Sequence, residues 1–231
     1  MRQVVFTFYR PIAAWVLLVT NIVLFLIPEI LGLNPIVQAL GMKDNQAILQ
    51  GEYYRLFTSM FLHANLTHLF FNSFALYSFG RDVERFLGTS KFVAIYILAG
   101  LGGSVASYMT SPNPSLGASG AIFGLVGAMG AFFLKTRHIF QEMSRQQIAN
   151  LIFIVLLNLG IGFTTPLIDN SAHIGGLIIG ALAGYALSPD LRPDPTQDPM
   201  PLVRSTSSYA WPVYAALLVM IVAALWLGPA R

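Results

Sequence analysis

The chain has 231 residues, of which 55% are hydrophobic and only 10% charged, and its mean hydropathy is +0.66. Soluble domains carry about 25% charged residues, so this composition excludes an ordinary soluble globular protein and indicates an integral membrane protein. The net charge of +3 comes from scattered basic residues, which argues against nucleic-acid binding, and the lack of cysteine excludes disulfides, thiol catalysis and Cys-ligated metals.

Apolar stretches alternate with polar ones along the chain, and seven of them are candidates for membrane-spanning helices. The first follows Arg10 and could be a signal peptide, but no small-residue cleavage site follows before Pro28, so we interpret it as a retained anchor helix. The predicted segments are 11–28, 62–80, 92–109, 117–134, 148–168, 172–188 and 210–228.

Two connections between these segments are unusual. The loop 29–61 is rich in Leu, Ile and Phe, which favours a position in the membrane interface. Residues 189–201 contain five prolines and predict an extended tether. We therefore expect an all-α membrane protein with a six-helix core over 1–188, a Pro-rich cytoplasmic tether over 189–209 and an additional transmembrane helix in 210–231.

Lys and Arg predict the orientation of these segments. If successive segments cross in opposite directions, ten Lys and Arg residues lie on one side of the membrane and three on the other. The positive-inside rule then places the N-terminus in the cytoplasm and the C-terminus outside. The second, fourth and sixth segments therefore begin at the extracytoplasmic face.

The fourth segment opens with a small-residue sequence that contains Ser119. Its residues 117–134 would rise roughly 27 Å as a helix, about the thickness of a hydrocarbon core. Glycines at spacings of three and four form one stripe that lets neighbouring helices approach closely: Gly117, Gly120, Gly124 and Gly127. Ser119 lies beside that stripe in the first turn, near free backbone N–H groups where an oxyanion would be stabilised.

The second and sixth segments bring further polar residues to the same membrane face. His68 and Asn72 are four residues apart and share one side of a helix, whereas His63 is rotated from His68 by roughly 140° and is expected to point elsewhere. The sixth segment begins near His173 and continues with its own glycine stripe, formed by Gly176, Gly180 and Gly184.

These residue types together allow nucleophilic acyl transfer. A serine hydroxyl needs a base within hydrogen-bond reach, and His173 can supply it if the glycine stripes draw the fourth and sixth segments together. A tetrahedral intermediate then needs donors, which Asn72, His68 and the Ser119 backbone N–H can offer. The inferred reaction is peptide hydrolysis inside a membrane.

At these positions the sequence resembles the rhomboid family of intramembrane serine proteases. The matching motifs are Gly117-Ala118-Ser119-Gly120, the His63…His68…Asn72 array, Ala172-His173 with Gly176 and Gly180, Tyr54-Arg55, and Glu84…Gly88. The likeness covers about residues 11–188, and the joint pattern is far more specific than a lone Gly-x-Ser-Gly. The seventh helix matches a six-plus-one form of the family.

The resemblance implies a role for each matching residue. Ser119 would be the nucleophile and His173 its general base, with Gly117, Ala118 and Gly120 supporting the serine. His68 and Asn72 would complete an oxyanion hole with the Ser119 amide, and Phe123 would pack against the catalytic histidine. Arg55, Glu84 and His63 match positions that hold the scaffold.

The resemblance also implies what the protein works with. Its substrates would be single-pass transmembrane proteins, cut near their extracytoplasmic end at a small residue beside a helix-destabilising stretch. Its surroundings would be membrane lipid, and we expect no cofactor, no metal and no nucleic acid.

Three other readings compete with an active protease. A rhomboid-like pseudoprotease would bind membrane clients without cleaving them. Such proteins usually lack the serine or the histidine, whereas this chain has both. A transporter using His68, His173 and Asp169 as a proton relay would favour internal repeats, which the chain lacks. A metal site of His63, His68 and His173 is disfavoured, because no carboxylate accompanies the histidines on the second segment.

Asp169, four residues before His173, would complete a catalytic triad, but it is more simply explained as the residue that caps the start of a helix.

Overall fold

The computed structural model describes residues 4–165, 168–194, 196–197, 200–205, 210–226 and 228. Of the residues on which the expectations above depend, Arg2, Pro195, Pro199 and Arg231 lie outside the described residues.

Helices dominate the structure, and they confirm the expected all-α membrane bundle. They are α1 (Ile12–Ile30), α2 (Asn34–Gly41), α3 (Asn45–Leu49), α4 (Arg55–Thr58), α5 (Leu66–Ala75), α6 (Arg81–Leu87), α7 (Thr89–Thr110), α8 (Ser119–Lys135), α9 (Arg137–Thr164), α10 (Asn170–Leu187) and α11 (Ala210–Trp226). A 3₁₀ turn covers Ser59–Phe61, and a π-helical segment, Leu76–Gly80, joins α5 to α6. Three short strands are added: β1 (Val4–Val5), β2 (Asp190–Pro193) and β3 (Met200–Ser205).

Within the described residues, four helices are long and apolar enough to cross a membrane: α1, α7, α9 and α10. The helix α8 and residues 211–223 of α11 are apolar but shorter. The second predicted segment is divided between α5 and the π-helical segment, and the helical path continues through α6. It ends at Gly88, whose φ of +90° is a conformation that glycine adopts readily.

The fifth predicted segment starts too late. We expected a helix from residue 148, whereas α9 begins at Arg137 and is interrupted at Gln141, where φ is +34°. The first part of α9 is polar and charged, so a hydropathy pattern cannot reveal it even though most of its residues are good helix formers. This helix therefore extends beyond the apolar stretch that predicted it.

The loop 29–61 is built from the short helices α2, α3 and α4 rather than from irregular chain. Arg55 is buried within it, and its guanidinium donates to the carbonyls of Ala39 (2.7 Å) and Met42 (3.1 Å). The same guanidinium pairs with Glu52 at 2.6 Å. One side chain thus ties α4 to the end of α2, a contact that fits the scaffold role expected of Arg55.

Glu84 ties α6 to the start of α1. Its carboxylate is fully buried and accepts the backbone N–H groups of Ala13 (2.9 Å) and Ala14 (2.7 Å) and the hydroxyl of Thr89 (2.7 Å). The helix α1 follows Pro11 and has no capping side chain of its own. Glu84 therefore satisfies first-turn donors that would otherwise remain unpaired.

The glycine stripes bring α8 and α10 into backbone contact. A Cβ atom at Gly176 would overlap the backbone of Gly120, and one at Gly180 would overlap the backbone of Gly124. The helix α7 joins the same contact, because a Cβ at Gly103 would lie 2.6 Å from the Ala172 carbonyl oxygen. The predicted approach of these helices thus depends on glycine in at least three places.

The predicted tether is extended but folded back on itself. The strand β3 pairs antiparallel with β2 and parallel with β1, so that Val4 lies opposite Met200. Leu191 and Leu202 are buried in the hydrophobic core. The guanidinium of Arg204 lies 4.5 and 4.2 Å from the ring centroids of Phe6 and Tyr9. The chain before α11 is therefore docked against the N-terminal segment.

The loop 29–61 also reaches the connection between α7 and α8. Lys43 exchanges two backbone hydrogen bonds with Ser115, at 2.8 and 3.0 Å, and its ammonium donates to the carbonyls of Ser111 (2.8 Å) and Asn113 (2.9 Å). Its side chain is buried. This burial lowers the pKa of Lys43 to about 8, although the negative charges of Asp169 and Asp44 act in the opposite direction.

Substituting Gly124→Val tests the backbone contact. The new side chain would collide with Ala99 and approach the Gly176 carbonyl, so we expect a loss of about 1–3 kcal/mol in the free energy of unfolding. Gly160→Val is the matched control, because nothing lies within 4 Å of a Cβ at Gly160. Thermal unfolding in detergent compares the two, and a Gly124→Val protein as stable as the control contradicts the packing.

The buried lysine predicts a pH dependence of stability. Its pKa is lower in the folded protein than in the unfolded chain, where it is about 10.4, so the unfolded state binds more protons between these values. The unfolding free energy of the wild type should therefore rise from pH 8 to pH 10 relative to Lys43→Met. Melting curves across this range measure the difference. Parallel pH profiles for the two proteins would contradict a lowered pKa of Lys43 in the folded state.

Candidate active site

Ser119 is the first residue of α8. Ala118 before it is fully buried, and the helix has no capping side chain, so its first-turn N–H groups have no acceptor from within the helix. Gly117 adopts a φ of +135°, and its N–H donates to the Ser59 carbonyl at 2.8 Å. Gly117 thus precedes the helix and turns the chain into it, rather than belonging to the helical stripe as expected.

His173 lies one turn inside α10 and faces Ser119. Its Nε2 is 2.9 Å from the Ser119 Oγ, and the imidazole is buried. The ring of Phe123 stacks on the imidazole, with centroids 4.2 Å apart and planes at 7°. The structure therefore brings together the two residues that the sequence predicted as nucleophile and base, with the aromatic residue in the expected place.

His68 lies on the other side of Gly117. A Cβ at Gly117 would be 2.8 Å from both Cε1 and Nε2 of His68 and 3.7 Å from the Ser119 Oγ. The Nδ1 atom of His68 accepts the Ala64 N–H at 3.4 Å, an arrangement that leaves the proton of a neutral imidazole on Nε2. A donor nitrogen thus points toward the space beside Ser119.

Asn72 shares a face of α5 with His68, as the spacing predicts. Its side chain is buried, and its amide nitrogen donates to the His68 carbonyl at 3.1 Å. One of the two amide hydrogens is therefore engaged within the helix, and the second is available to another acceptor.

His63 does not point away from His68. The two rings lie with centroids 5.2 Å apart in an edge-to-face arrangement, and His63 is almost completely buried. The expectation of a 140° rotation assumed one continuous helix, but α5 begins only at Leu66, with Asn65 as its cap. His63 precedes the helix, so helical spacing does not apply to it.

Asp169 caps α10 instead of completing a triad. Its carboxylate accepts the Ala172 N–H at 3.0 Å and the hydroxyl of Ser107 from α7. The Nδ1 atom of His173 has no hydrogen-bond partner among the described residues. In the same parts of the chain, no group of three or more His, Asp or Glu side chains is placed to hold a metal ion.

Sequence reasoning missed the residues that hold the chain on either side of Ser119. Lys43 and Asn45 bind the connection between α7 and α8, and the Ser59 carbonyl binds Gly117. The one available signal was the Lys43-Asp44-Asn45 sequence in the middle of the loop 29–61. Such a sequence is equally typical of a solvent-exposed loop.

Comparison with known proteins agrees with this arrangement. Residues 50–190, more than half of the chain, match the Rhomboid domain. Rhomboid protease GluP of Bacillus subtilis is 44% identical over 77% of this chain, RHOMBOID-like protein 5 of Arabidopsis thaliana is 37% identical over 66%, and Rhomboid protease AarA of Providencia stuartii is 37% identical over 63%.

The chain spans 35% of the length of GluP, 50% of RHOMBOID-like protein 5 and 60% of AarA. The matched region contains α5, α8 and α10, the helices that carry Asn72, Ser119 and His173. Domain match, sequence identity and helical architecture lead to one conclusion: this integral membrane protein belongs to the rhomboid family.

Proposed function

We propose that this protein is an intramembrane serine endopeptidase with a Ser119–His173 dyad. The observation that supports it most directly is the 2.9 Å contact between Ser119 Oγ and His173 Nε2, with the imidazole stacked on Phe123. Nucleophilic catalysis requires a base within hydrogen-bond reach of the serine hydroxyl, and here the buried, stacked imidazole offers its Nε2 atom to that hydroxyl. The names of GluP and AarA as rhomboid proteases support the same reaction.

In the first step, the Ser119 oxygen attacks the carbonyl carbon of the scissile peptide. A C–O bond forms, the carbonyl π electrons move to the oxygen, and the hydroxyl proton passes to His173 Nε2. For Nε2 to accept that proton, the neutral imidazole must carry its own proton on Nδ1. The stacked Phe123 ring keeps the imidazole plane fixed while the proton moves.

The developing oxyanion needs donors that are already in place. The N–H of Ser119, at the positive end of α8, is one of them. The Nε2–H of His68 lies on the far side of Gly117, and the free amide hydrogen of Asn72 lies one turn further along α5. Gly117 leaves the gap between Ser119 and His68 open, because any side chain there would fill it.

The intermediate then breaks down in two stages. The C–N bond breaks as His173 returns its proton to the leaving amine, which leaves an ester on Ser119. A water molecule gives a proton to Nε2 and attacks the ester, and collapse of that second intermediate regenerates the serine hydroxyl and releases a carboxylic acid. The overall reaction consumes one water for each peptide bond.

The proposed substrates are single-pass transmembrane proteins, cut near their extracytoplasmic end. We propose an orientation with the N-terminus in the cytoplasm. Ser119 and His173 lie at the starts of α8 and α10, while Lys91 and Lys135 bind the last carbonyls of α10 at its opposite end. Basic residues thus gather at the end remote from the dyad, as the positive-inside rule expects of the cytoplasmic side.

Alanine substitutions test the dyad directly. Ser119→Ala and His173→Ala should each abolish cleavage of a single-pass substrate by the purified protein, and the double variant should be little worse, because the two groups act as a unit. Ser78→Ala and His138→Ala, which alter the same residue types outside the site, serve as controls. Substantial turnover by Ser119→Ala contradicts the serine mechanism, and a wild type that binds substrate without cleaving it favours a client-binding protein.

Asn72 tests the oxyanion proposal. Losing one such donor typically costs about 10²–10³ in kcat, so Asn72→Ala should lower kcat while the thermal midpoint barely moves. Asn158→Ala is a close control, because Asn158 makes the same kind of bond to the carbonyl four residues earlier, at 2.8 Å, on α9. If both substitutions lower kcat equally, or if Asn72→Ala unfolds, the asparagine is structural.

Two truncations separate the roles of the strands and of α11. A chain ending at Ser205 loses α11 but keeps the docked strands, and we expect Ser119 in it to react normally with a fluorophosphonate probe in membranes. A chain ending at Ser188 also loses Leu191 and Leu202 from the core and should be less stable. Loss of labelling in a folded, inserted Ser205 truncation would place α11 within the catalytic bundle.

A further inference from the structure

The connection between α7 and α8 carries the chain to Ser119, and it is held from outside by the loop 29–61. Lys43 pairs with Ser115 through two backbone bonds, and its ammonium binds the carbonyls of Ser111 and Asn113. Only three residues separate Ser115 from Ser119. A shift at Ser115 is therefore transmitted almost directly to the nucleophile.

The ammonium of Lys43 sits at the C-terminal end of α7. The C-terminal end of a helix presents carbonyl oxygens without partners and a partial negative charge, both of which a buried cation compensates. Asn45 adds bonds from its amide to the carbonyls of Tyr108 (3.3 Å) and Ser111 (3.2 Å). Lys43 and Asn45 together determine where α7 ends and in which direction the connection leaves it.

The same turn of α7 also holds the start of α10. Ser107 donates to the Asp169 carboxylate, and the Thr110 and Ser171 hydroxyls are 2.7 Å apart. Asp169 lies four residues before His173 and caps its helix. The serine and the histidine of the dyad are therefore both positioned relative to the C-terminal turn of α7, the serine through Lys43 and the histidine through Asp169.

We propose that Lys43 is a positioning residue for peptide hydrolysis: it fixes residues 111–118 against α7 and thereby fixes Ser119 Oγ at His173 Nε2. This inference rests on the proposed function, since it concerns the rate at which Ser119 reacts. Misplacement of a reacting group by about 1 Å can cost on the order of 10²-fold in rate, so a displaced connection has a large kinetic effect.

A lysine with a purely structural role would change stability alone. Lys91 provides that comparison, because its half-buried ammonium also donates to a backbone carbonyl, that of Leu187 at 2.8 Å, but at the opposite end of α10 from His173. Lys91→Met removes a similar bond far from Ser119. Lys43→Arg retains a cation that can donate to two carbonyls and serves as the rescue variant.

The experiment measures two quantities at pH 7, well below the melting temperature of each protein. One is the rate constant of fluorophosphonate labelling at Ser119, with Ser119→Ala as the blank. The other is amide hydrogen exchange in residues 111–118, which does not depend on catalysis. In a separate cleavage assay, Lys43→Met should lower kcat with little change in KM. In the labelling and exchange measurements, it should lower the labelling rate about 10–100-fold and accelerate exchange in the segment. Lys43→Arg should recover most of the labelling rate and most of the protection from exchange, and Lys91→Met should change neither quantity.

The outcomes separate this proposal from the dyad itself. Unchanged exchange in Lys43→Met overturns the proposal, and so does faster exchange with unchanged labelling, because the segment would then move without affecting Ser119. If the wild type is not labelled at Ser119, the proposed function fails, and the exchange data alone decide whether Lys43 holds the segment. Should Lys43→Met fail to fold, Lys43→Gln removes the charge but keeps an amide donor. It should then show smaller changes of labelling rate and exchange in the same directions, and unchanged values of both overturn the proposal.

Discussion

The structure depends on one contact, the approach of α8 and α10 to the point where their backbones touch. Gly176 against Gly120 and Gly180 against Gly124 leave no room for any side chain. In a bilayer there is little hydrophobic drive to bring two apolar helices together, so close packing of small residues has to supply the attraction. The distance between the two backbones in turn determines whether a serine on one helix can reach a histidine on the other.

This contact explains how Ser119 and His173 can face each other from helices rather than from loops. Each helix starts within one turn of the residue it carries, so the helical part of the chain begins almost at Ser119 and at His173. The non-helical residues before Ser119, and Asp169 before His173, are held by side chains from elsewhere, namely Lys43, Asn45 and Ser107. The site is therefore rigid where the helices pack and secured by polar bonds where they begin.

The sequence predicted this core well for identifiable reasons. Hydropathy locates helices that face lipid, and spacings of three and four residues identify the glycines of α8 and α10, because helix geometry is regular. The same regularity placed His68 and Asn72 on one face of α5. It misled us at His63 and Gly117, which lie outside the helices. The helix α5 begins three residues after His63, at Leu66, and α8 begins two residues after Gly117, at Ser119.

The features that the sequence did not predict are those without a regular spacing of apolar or small residues. The polar first part of α9, the short helices of the loop 29–61 and the docked strands β2 and β3 depend on tertiary contacts rather than on local pattern. Lys43 is the clearest case, since a lysine in a loop gives no sign that it is buried against two carbonyls. Only the path of the chain in three dimensions reveals that partner.

The carboxylate of Glu84 has a consequence for how the protein is made. The ribosome delivers α1 to the membrane about 70 residues before it delivers the group that satisfies the N–H groups of Ala13 and Ala14. At synthesis rates of roughly 5–20 residues per second, that interval lasts on the order of ten seconds. During this time the nascent anchor can insert, but its first turn lacks its permanent acceptor. The hydrogen bonds at the start of α1 can therefore form only after Glu84 has been synthesised, so this end of the helix is completed late in the assembly of the bundle.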